Sequence, residues 1–274
     1  MPKHTTKLLT DLPNQCLEVV IMRQKERRLK NIFTLFVLIL LAGQLTGQQS
    51  YFNVPSSDRT KEKTWFFQQQ TNYSAGEFTS NYTFDYGLNQ KWELGFNLFQ
   101  LNAIPRNGLR VIQNNNGENE AFFPLATLNA QRFVKLSKHS QWSLASVAGF
   151  DPFAADFLKS GSMMIFSNYQ FHNKFLKFTA GLWGGNNHFI GVGNRFYRSS
   201  ANSPVGFQMG GELHLGHKKS LVFDHISGST PISMSTIGVT RYFHKNWIFS
   251  LGAQIPNHQH FVPNGIVIEF TRVL

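Results

Sequence analysis

Alternation of apolar and polar residues constrains the fold of this chain more than any other feature. Within residues 78–86, Tyr82, Phe84 and Tyr86 carry aromatic side chains at alternate positions, and polar side chains stand between them. Residues 92–98 repeat the pattern, and only the short stretch 87–91 separates the two runs. A period of two predicts a β-strand with one apolar and one polar face, and two such runs around a short turn predict a hairpin.

The same unit recurs along the chain, with short polar turns and longer connections in alternation. Strands are predicted near residues 64–73, 77–86, 91–101, 125–136, 141–150, 162–171, 174–183, 205–215, 220–227, 232–243, 247–255 and 265–274. Because the number of strands is even, both ends of the strand region lie on the side of the short turns. Ten residues at about 3.3 Å each, tilted by about 40°, span roughly 25 Å, the height of the apolar band on an outer-membrane barrel. We therefore predict an all-β fold, a transmembrane antiparallel up-and-down β-barrel of about 12 strands.

Composition excludes the main alternative class of membrane protein. The chain is 42% hydrophobic and 15% charged, and Phe alone supplies 27 of its 274 residues. The mean hydropathy is nevertheless −0.22, because apolar side chains are interleaved with polar ones instead of pooled into runs. A polytopic helical membrane protein needs about 20 consecutive apolar residues for each span, so this class is excluded.

A targeting segment is predicted at the N-terminus. A basic cluster at residues 23–30 precedes the apolar run 32–43, and small and polar residues follow it. This order predicts a secretory signal peptide at residues 1–47, with a single membrane anchor as the alternative. Since Met22 stands directly before the basic cluster, we hypothesise that residues 1–21 are an upstream extension read from an early start codon.

Cleavage of that peptide changes the charge of the chain. The whole chain carries +11, but residues 1–47 hold seven of its 26 basic and three of its 15 acidic residues, so cleavage leaves about +7. The only cysteine, Cys16, is removed as well, which excludes disulfides, thiolate metal sites and a lipoprotein anchor. The mature chain is predicted to divide into an N-terminal periplasmic segment, residues 48–63, and the barrel, residues 64–274.

The basic residues do not indicate a nucleic-acid partner. No stripe of Lys or Arg interleaves with stacking aromatic side chains on one face, as nucleic-acid sites require. Lysines are instead spread through the predicted short turns, around one rim, at Lys91, Lys138, Lys174, Lys218, Lys219 and Lys245.

Aromatic residues are predicted to form a girdle at the membrane interface. Tryptophans stand at the starts of strands on the short-turn side, at Trp65, Trp92, Trp142 and Trp247. Amphipathic rings at one height are typical of transmembrane barrels, whose outer surface contacts outer-membrane lipid.

The last predicted strand reaches the last residue of the chain. Residues 266–274 alternate, and they resemble the C-terminal assembly signal of outer-membrane barrels, although those commonly end in Phe and this chain ends in Leu274. This resemblance implies the barrel-assembly machinery as a partner.

Several runs resemble a loosely defined group of uncharacterised, transporter-like outer-membrane barrels of Gram-negative bacteria. They are Phe52-Asn-Val-Pro55, residues 65–73, 83–88 and 92–98, and Leu221-Val-Phe-Asp-His-Ile-Ser-Gly228. The resemblance implies a location in the cell outer membrane and passage of a solute, and it brings no catalytic residues.

Polar residues on the inward faces are the candidate functional residues. Their charged members are Asp85, Glu93, Lys177, Glu212, Asp224, Arg241 and Glu269, accompanied by Asn97, Gln131, Gln208, His214 and Gln254. A charge inside a barrel must be hydrated or paired. Two interpretations stay open: a polar conduit whose mixed charges set selectivity, or a lattice of ion pairs that fills the lumen.

An enzymatic alternative rests on His225 and Ser227. Two positions apart on a strand, they are expected on one face, and they resemble the pair in outer-membrane phospholipase A and lipid A deacylase, where the His activates the Ser for attack on a lipid ester. The Asn that follows the Ser in those enzymes is missing, and no third residue that would orient the His can be identified. We therefore do not assign catalytic residues.

The favoured function is a channel or transporter for a small solute of unknown identity. The alternatives are an interfacial lipid hydrolase, as above, and a structural or adhesive barrel that presents loops 102–124 and 184–204. Neither a cofactor nor a metal is predicted.

Three details fit this scheme poorly. Arg132 falls on the apolar face of its strand, and Ile237 and Val239 fall on the inward face of theirs. The connection 184–204 contains the apolar run 189–192, which is either a short extra strand or a plug inside the lumen.

Overall fold

The described part of the chain begins just after the predicted signal peptide. The computed structural model describes residues 51–74, 76–104, 110–112, 125–150, 161–186, 205–216, 218–230, 232–243, 246–257 and 263–273. The predicted signal peptide and the run 189–192 lie outside these ranges. Within them, no helix is long and apolar enough to cross a membrane.

The described residues contain thirteen strands, and each pairing between them is antiparallel. They are β1 Trp65–Ser74, β2 Glu77–Gly87, β3 Trp92–Ile104, β4 Arg110–Ile112, β5 Leu125–Lys135, β6 Ser140–Phe150, β7 Ser162–His172, β8 Leu176–Gly185, β9 Val205–Gly216, β10 Lys219–Ile226, β11 Met234–Tyr242, β12 Trp247–Pro256 and β13 Gly265–Val273.

Twelve of these strands form a closed barrel. Each pairs with its neighbours along the chain, and β1 pairs with both β2 and β13, with Phe66 opposite Val273 at the seam. The predicted twelve-stranded up-and-down barrel is therefore confirmed. The short strand β4 is additional and pairs only with the end of β3. Its three residues are too few to show a period in the sequence.

The apolar face of each strand points outward and the polar face points inward. Along β7, Met163 and Ile165 are exposed outside, whereas Asn168 and Gln170 are fully buried inside. Large apolar side chains are exposed all round the barrel, among them Leu94, Phe96, Leu128, Leu144, Leu182, Phe207, Leu213, Leu251, Ile255, Ile266, Ile268 and Phe270. A continuous apolar surface of this extent is not stable in water.

The apolar core of the fold lies inside the barrel, toward the strand ends opposite the short turns. Its members on the strands include Val147, Phe166, Trp183 and Ile226. Residues from the N-terminal segment, which precedes β1, join the same cluster.

Strand β11 corrects one prediction. Ile237, Val239 and Arg241 were expected to face the lumen, but all three are exposed on the outer face. The buried inward positions are Thr236 and Thr240. The assignment of Arg241 as a lumen residue was wrong because Arg241 lies at the short-turn end of β11, where an outward arginine reaches the polar rim, so its charge does not mark the inner face.

Arg132 is on the outer face, where the sequence placed it. Its guanidinium carbon lies 5.7 Å from the centre of the Trp92 ring, on the neighbouring strand β3. The position is near the short turns, so the charged end is held at the rim of the apolar surface.

Candidate functional site in the barrel lumen

Residues 51–60 run inside the barrel, and we call them the N-terminal plug. Their hydrogen bonds reach β1, β3, β5, β6, β7, β8, β10 and β11, which surround them. The sequence predicted residues 48–63 as a periplasmic segment apart from the barrel; residues 51–60 of that segment lie inside the barrel wall. The polar sequence of this stretch is typical of a linker, but inside a polar wall the same groups find hydrogen-bond partners.

A sharp turn sends the chain into the barrel from the short-turn side. Lys63 has a φ of 60°, which is uncommon for a residue other than glycine, and its N–H donates to the Gly87 carbonyl at 2.7 Å. A Cβ on Gly87 would lie 2.2 Å from the Lys61 carbonyl oxygen. Glycine at the end of β2 is therefore required for this close approach.

The tip of the plug is held by one carboxylate. Three consecutive main-chain N–H groups, those of Phe52, Asn53 and Val54, donate to Asp224 Oδ2, the first and third at 2.9 and 3.0 Å. The Asn53 side chain donates to Thr236 Oγ1 at 2.8 Å. Bonds to a charged acceptor are stronger than neutral ones, so Asp224 is the main anchor of the tip.

Two aromatic rings of the tip lie against glycines of the wall. A Cβ on Gly210 would come 2.3 Å from Tyr51 Cδ2, and a Cβ on Gly252 would come 2.8 Å from Phe52 Cζ. The Tyr51 hydroxyl lies 2.8 Å from Thr179 Oγ1. Burial raises the pKa of the Tyr51 hydroxyl above its ordinary value, so this group bonds as a neutral phenol.

The middle of the plug is bound through its backbone and small side chains. The Ser57 and Ser143 hydroxyl oxygens are 2.9 Å apart, and the Ser57 N–H donates to Gln170 Oε1 at 2.7 Å. Asn168 Nδ2 donates to the Pro55 carbonyl at 2.8 Å. These wall residues are fully buried, so the plug fills the lumen at this height.

One cation balances two carboxylates near the short-turn end. Lys177 Nζ lies 2.7 Å from Asp58 Oδ2 of the plug and 3.2 Å from Glu212 Oε2 of the wall. The Tyr242 hydroxyl donates to Glu212 Oε1, and His214 Nδ1 lies 3.5 Å from the same oxygen, at the rim. Lys177 and Glu212 are almost fully buried, and buried charges need such partners.

The other predicted lumen carboxylates also lie inside the barrel. Glu93 accepts the Thr60 N–H of the plug at 2.7 Å, Asp85 accepts an amide N–H of Asn129 at 2.9 Å, and Glu269 is fully buried on β13. Ion pairs in the described lumen centre on Lys177 and Glu212, whereas Asp224, Glu93 and Asp85 accept hydrogen bonds from the plug or the wall.

The four predicted girdle tryptophans lie on the outer face at the short-turn ends of their strands. Trp65 packs against Tyr86 in a tilted arrangement with ring centres 4.8 Å apart, and Trp142 Nε1 donates to Ser167 Oγ at 2.8 Å. The Arg272 guanidinium carbon lies 4.7 Å from the centre of the Trp247 ring. Trp92 carries the stacked Arg132.

The structure does not join His225 to Ser227. His225 Nδ1 lies 2.8 Å from Ser235 Oγ on β11, while the Ser227 hydroxyl accepts the Phe207 N–H at 2.8 Å. The Ser227 oxygen also lies 2.7 Å from the position of a Cβ on Gly206, which faces the lumen beside Trp183. A serine nucleophile needs a hydrogen bond to its base, and here the two side chains point to different partners.

Sequence reasoning missed the plug, although one signal was present. Gly210 on β9, Gly238 on β11 and Gly252 on β12 occupy inward positions in the same part of the barrel wall. A glycine within a strand often marks a place where another backbone or a ligand comes close. Their alignment opposite an aromatic N-terminal segment becomes visible only once strand register is known.

The chain is similar in fold to several solved structures. The NanC porin gives a TM-score of 0.48 at 6% identity, over 76% of this chain and 98% of its own. Outer membrane phospholipase A from Escherichia coli gives 0.43 at 10% identity, over 78% and 91%. The toluene transporter TbuX from Ralstonia pickettii gives 0.41 at 8% identity, over 82% and 95%. Neither a protein-family model nor a curated protein matches the sequence.

Proposed function

We propose that this chain is an outer-membrane barrel that passes a small solute through its lumen, and that the N-terminal plug closes the passage until it is displaced. The observation that carries the proposal is the way the plug is held. Hydrogen bonds and one ion pair join it to strands around the barrel, without a covalent link, and its polar groups can exchange these partners for water.

The outer surface supports a location in a membrane. Apolar side chains cover the middle of the strands, and Trp65, Trp92, Trp142 and Trp247 stand together at one end. A closed barrel leaves no unpaired strand edge, so its backbone polar groups are satisfied in hydrocarbon. Export by the predicted signal peptide and assembly through the C-terminal strand complete the proposal.

Arginine in place of Leu251 tests this location. Leu251 is exposed at the middle of β12, and a charge on the lipid face at the bilayer midplane costs about 2–4 kcal/mol. We expect Leu251→Arg to lower the free energy of unfolding by this amount, measured by urea unfolding from lipid vesicles. The matched control is Leu136→Arg, an exposed leucine in the short turn after β5, where the expected cost is at most about 1 kcal/mol. Equal costs at the two sites would contradict a lipid-facing outer surface.

The size and chemistry of the lumen support passage. Barrels of about eight strands enclose little more than their own side chains, whereas those of about 16 strands hold an aqueous channel. Twelve strands leave room for one segment of chain, which the plug occupies. The wall around the plug is lined by side-chain amides such as those of Gln131, Asn168 and Gln170, which water can solvate when the plug leaves.

A cysteine pair that locks the plug tests the function. Because Ser57 and Ser143 have hydroxyl oxygens 2.9 Å apart, and Cys16 is the only native cysteine, Ser57→Cys with Ser143→Cys places one disulfide between plug and wall. We expect the oxidised variant to show no openings in planar lipid bilayers and the reduced variant to conduct like the wild type. Mass spectrometry reports the cross-link.

A second cysteine pair serves as the control. Thr240 and Ser250 are opposite each other on β11 and β12, with hydroxyl oxygens 2.8 Å apart and no bond to the plug. Thr240→Cys with Ser250→Cys is expected to conduct whether oxidised or reduced. Conductance of the oxidised plug–wall variant, or a wild type that never conducts at any voltage, would count against the proposal.

The remaining alternatives stay predictions. An adhesive role depends on loops 102–124 and 184–204, most of which lie outside the described residues. A lipid hydrolase lacks the hydrogen bond between its two candidate residues, so we do not propose it. The identity of the solute is addressed by the chemistry of the plug tip below.

A further inference from the structure

The place where the plug tip sits has the features of a binding site. Four neighbouring strands, β8 to β11, contribute to it in one row of paired residues, because Thr179 pairs with Gly210, Gly210 with Asp224, and Asp224 with Thr236. Strand β12 adds Gly252, which pairs with Gly238 of β11. Asp224 is 2% exposed and aims its carboxylate at the occupant. The occupant at present is the chain itself.

Two flat slots flank this carboxylate. The Tyr51 ring covers Gly210, and the Phe52 ring covers the paired glycines Gly238 and Gly252, whose missing side chains make the space. The Lys177 ammonium also lies 5.1 Å from the centre of the Tyr51 ring. Each slot therefore accepts a planar aromatic group and excludes a wall side chain.

The spacing links the slot to the carboxylate. Gly210 and Asp224 are directly opposite on paired antiparallel strands, where Cα atoms are about 5 Å apart. A ring over Gly210 and a nitrogen two or three bonds away from it reach both features together. In the plugged state three peptide N–H groups donate hydrogen bonds to Asp224. A primary ammonium group also has three N–H donors and can replace them.

We infer that the lumen contains a binding site for small amines that carry an aromatic ring, and that the plug tip is its internal competitor. This inference rests on the proposed function, since a ligand enters only when the tip leaves. The ring fills a glycine slot and the ammonium takes the place of the peptide N–H groups on Asp224. The proposed solute class of the passage is therefore small primary alkylamines that carry an aromatic ring.

Tyramine binding to the purified barrel in detergent micelles, followed by calorimetry, tests the site. Tyr51→Ala with Phe52→Ala empties both slots and leaves the wall unchanged. Because the wild type must first release its tip, we expect this double variant to bind tyramine about tenfold more tightly or better. Adding Asp224→Asn is expected to abolish the gain. Circular dichroism checks that each variant keeps its β-sheet.

Two further probes separate the parts of the site. In the double variant, 4-ethylphenol keeps the ring without the amine, and butylamine keeps an amine without the ring, so both are expected to bind more weakly than tyramine. Equal affinity for tyramine and 4-ethylphenol, or no gain over the wild type, would overturn the inference. Gly210→Leu in the same background gives an independent readout. It fills the slot beside Asp224 from the wall and is expected to remove the gain in tyramine affinity.

This test is independent of conduction. Binding in micelles needs no bilayer and no opening, so a barrel that binds tyramine but never conducts would keep the site and refute the passage. Conversely, the Ser57→Cys, Ser143→Cys variant could conduct after reduction while the barrel binds the three probes equally. That result would support the passage and refute the binding site.

Discussion

Alanine at Asp224 is expected to release the tip of the N-terminal plug from the barrel wall. Three main-chain N–H groups lose their shared acceptor, and an unsatisfied buried donor costs about 1–3 kcal/mol. The free energy that holds the tip on the wall is therefore expected to fall by about 3 kcal/mol or more. This corresponds to at least about a hundredfold in the equilibrium for release. Hydrogen exchange of residues 51–60, followed by mass spectrometry in micelles, measures it as faster exchange of the plug.

The matched control is a second buried carboxylate that does not touch the plug. Asp85 is bonded to Asn129 on the other side of the lumen, so Asp85→Ala should leave the exchange of residues 51–60 unchanged. Asp224→Asn keeps one acceptor oxygen and should give an intermediate rate. If the plug exchanged equally fast in wild type and Asp224→Ala, the carboxylate would not be its anchor.

Methionine at Lys177 is expected to destabilise the whole barrel. The substitution keeps much of the packing but leaves Asp58 and Glu212 without their shared cation. Removing one partner of a buried ion pair costs about 3–5 kcal/mol, because the remaining charge is not compensated. Equilibrium urea unfolding from lipid vesicles measures the loss.

Two variants show whether the cost comes from the pairing. Lys177→Met combined with Glu212→Gln removes one uncompensated charge as well, so part of the stability should return. Lys174→Met removes an exposed lysine three residues earlier, in a short turn, and should change little. A loss at Lys174 as large as that at Lys177 would show that burial of the ion pair does not matter.

The barrel could be predicted from the sequence because its evidence is local. Alternation over ten residues reports which side chains share a face, and the short turns report which strands are neighbours. Closure followed from an even number of strands with an apolar outer face. The prediction was wrong in phase at β11, where the charge of Arg241 indicated an inward face although Ile237 and Val239 alternate with threonines as an outward apolar face does.

The plug could not be predicted because its contacts are not local. Phe52 and Asp224 are 172 residues apart, and Asp58 and Lys177 are 119 apart. Alternation assigned these wall residues to the lumen side but carried no information on what they face. Residues 51–60 show no alternation of polar and apolar side chains. Their Ser, Pro and Asp residues are typical of a linker, and the same residues bind side-chain amides of the wall.

The position of the plug at the start of the chain has a consequence for folding. Because residues 51–60 are made before every strand that binds them, they wait while the chain extends to β11 before their last partners exist. Contacts of such long sequence separation form late and slowly. A segment that waits must stay soluble, so the polar residues 56–60, which follow the aromatic tip, suit the time before closure as well as the wall that they finally meet.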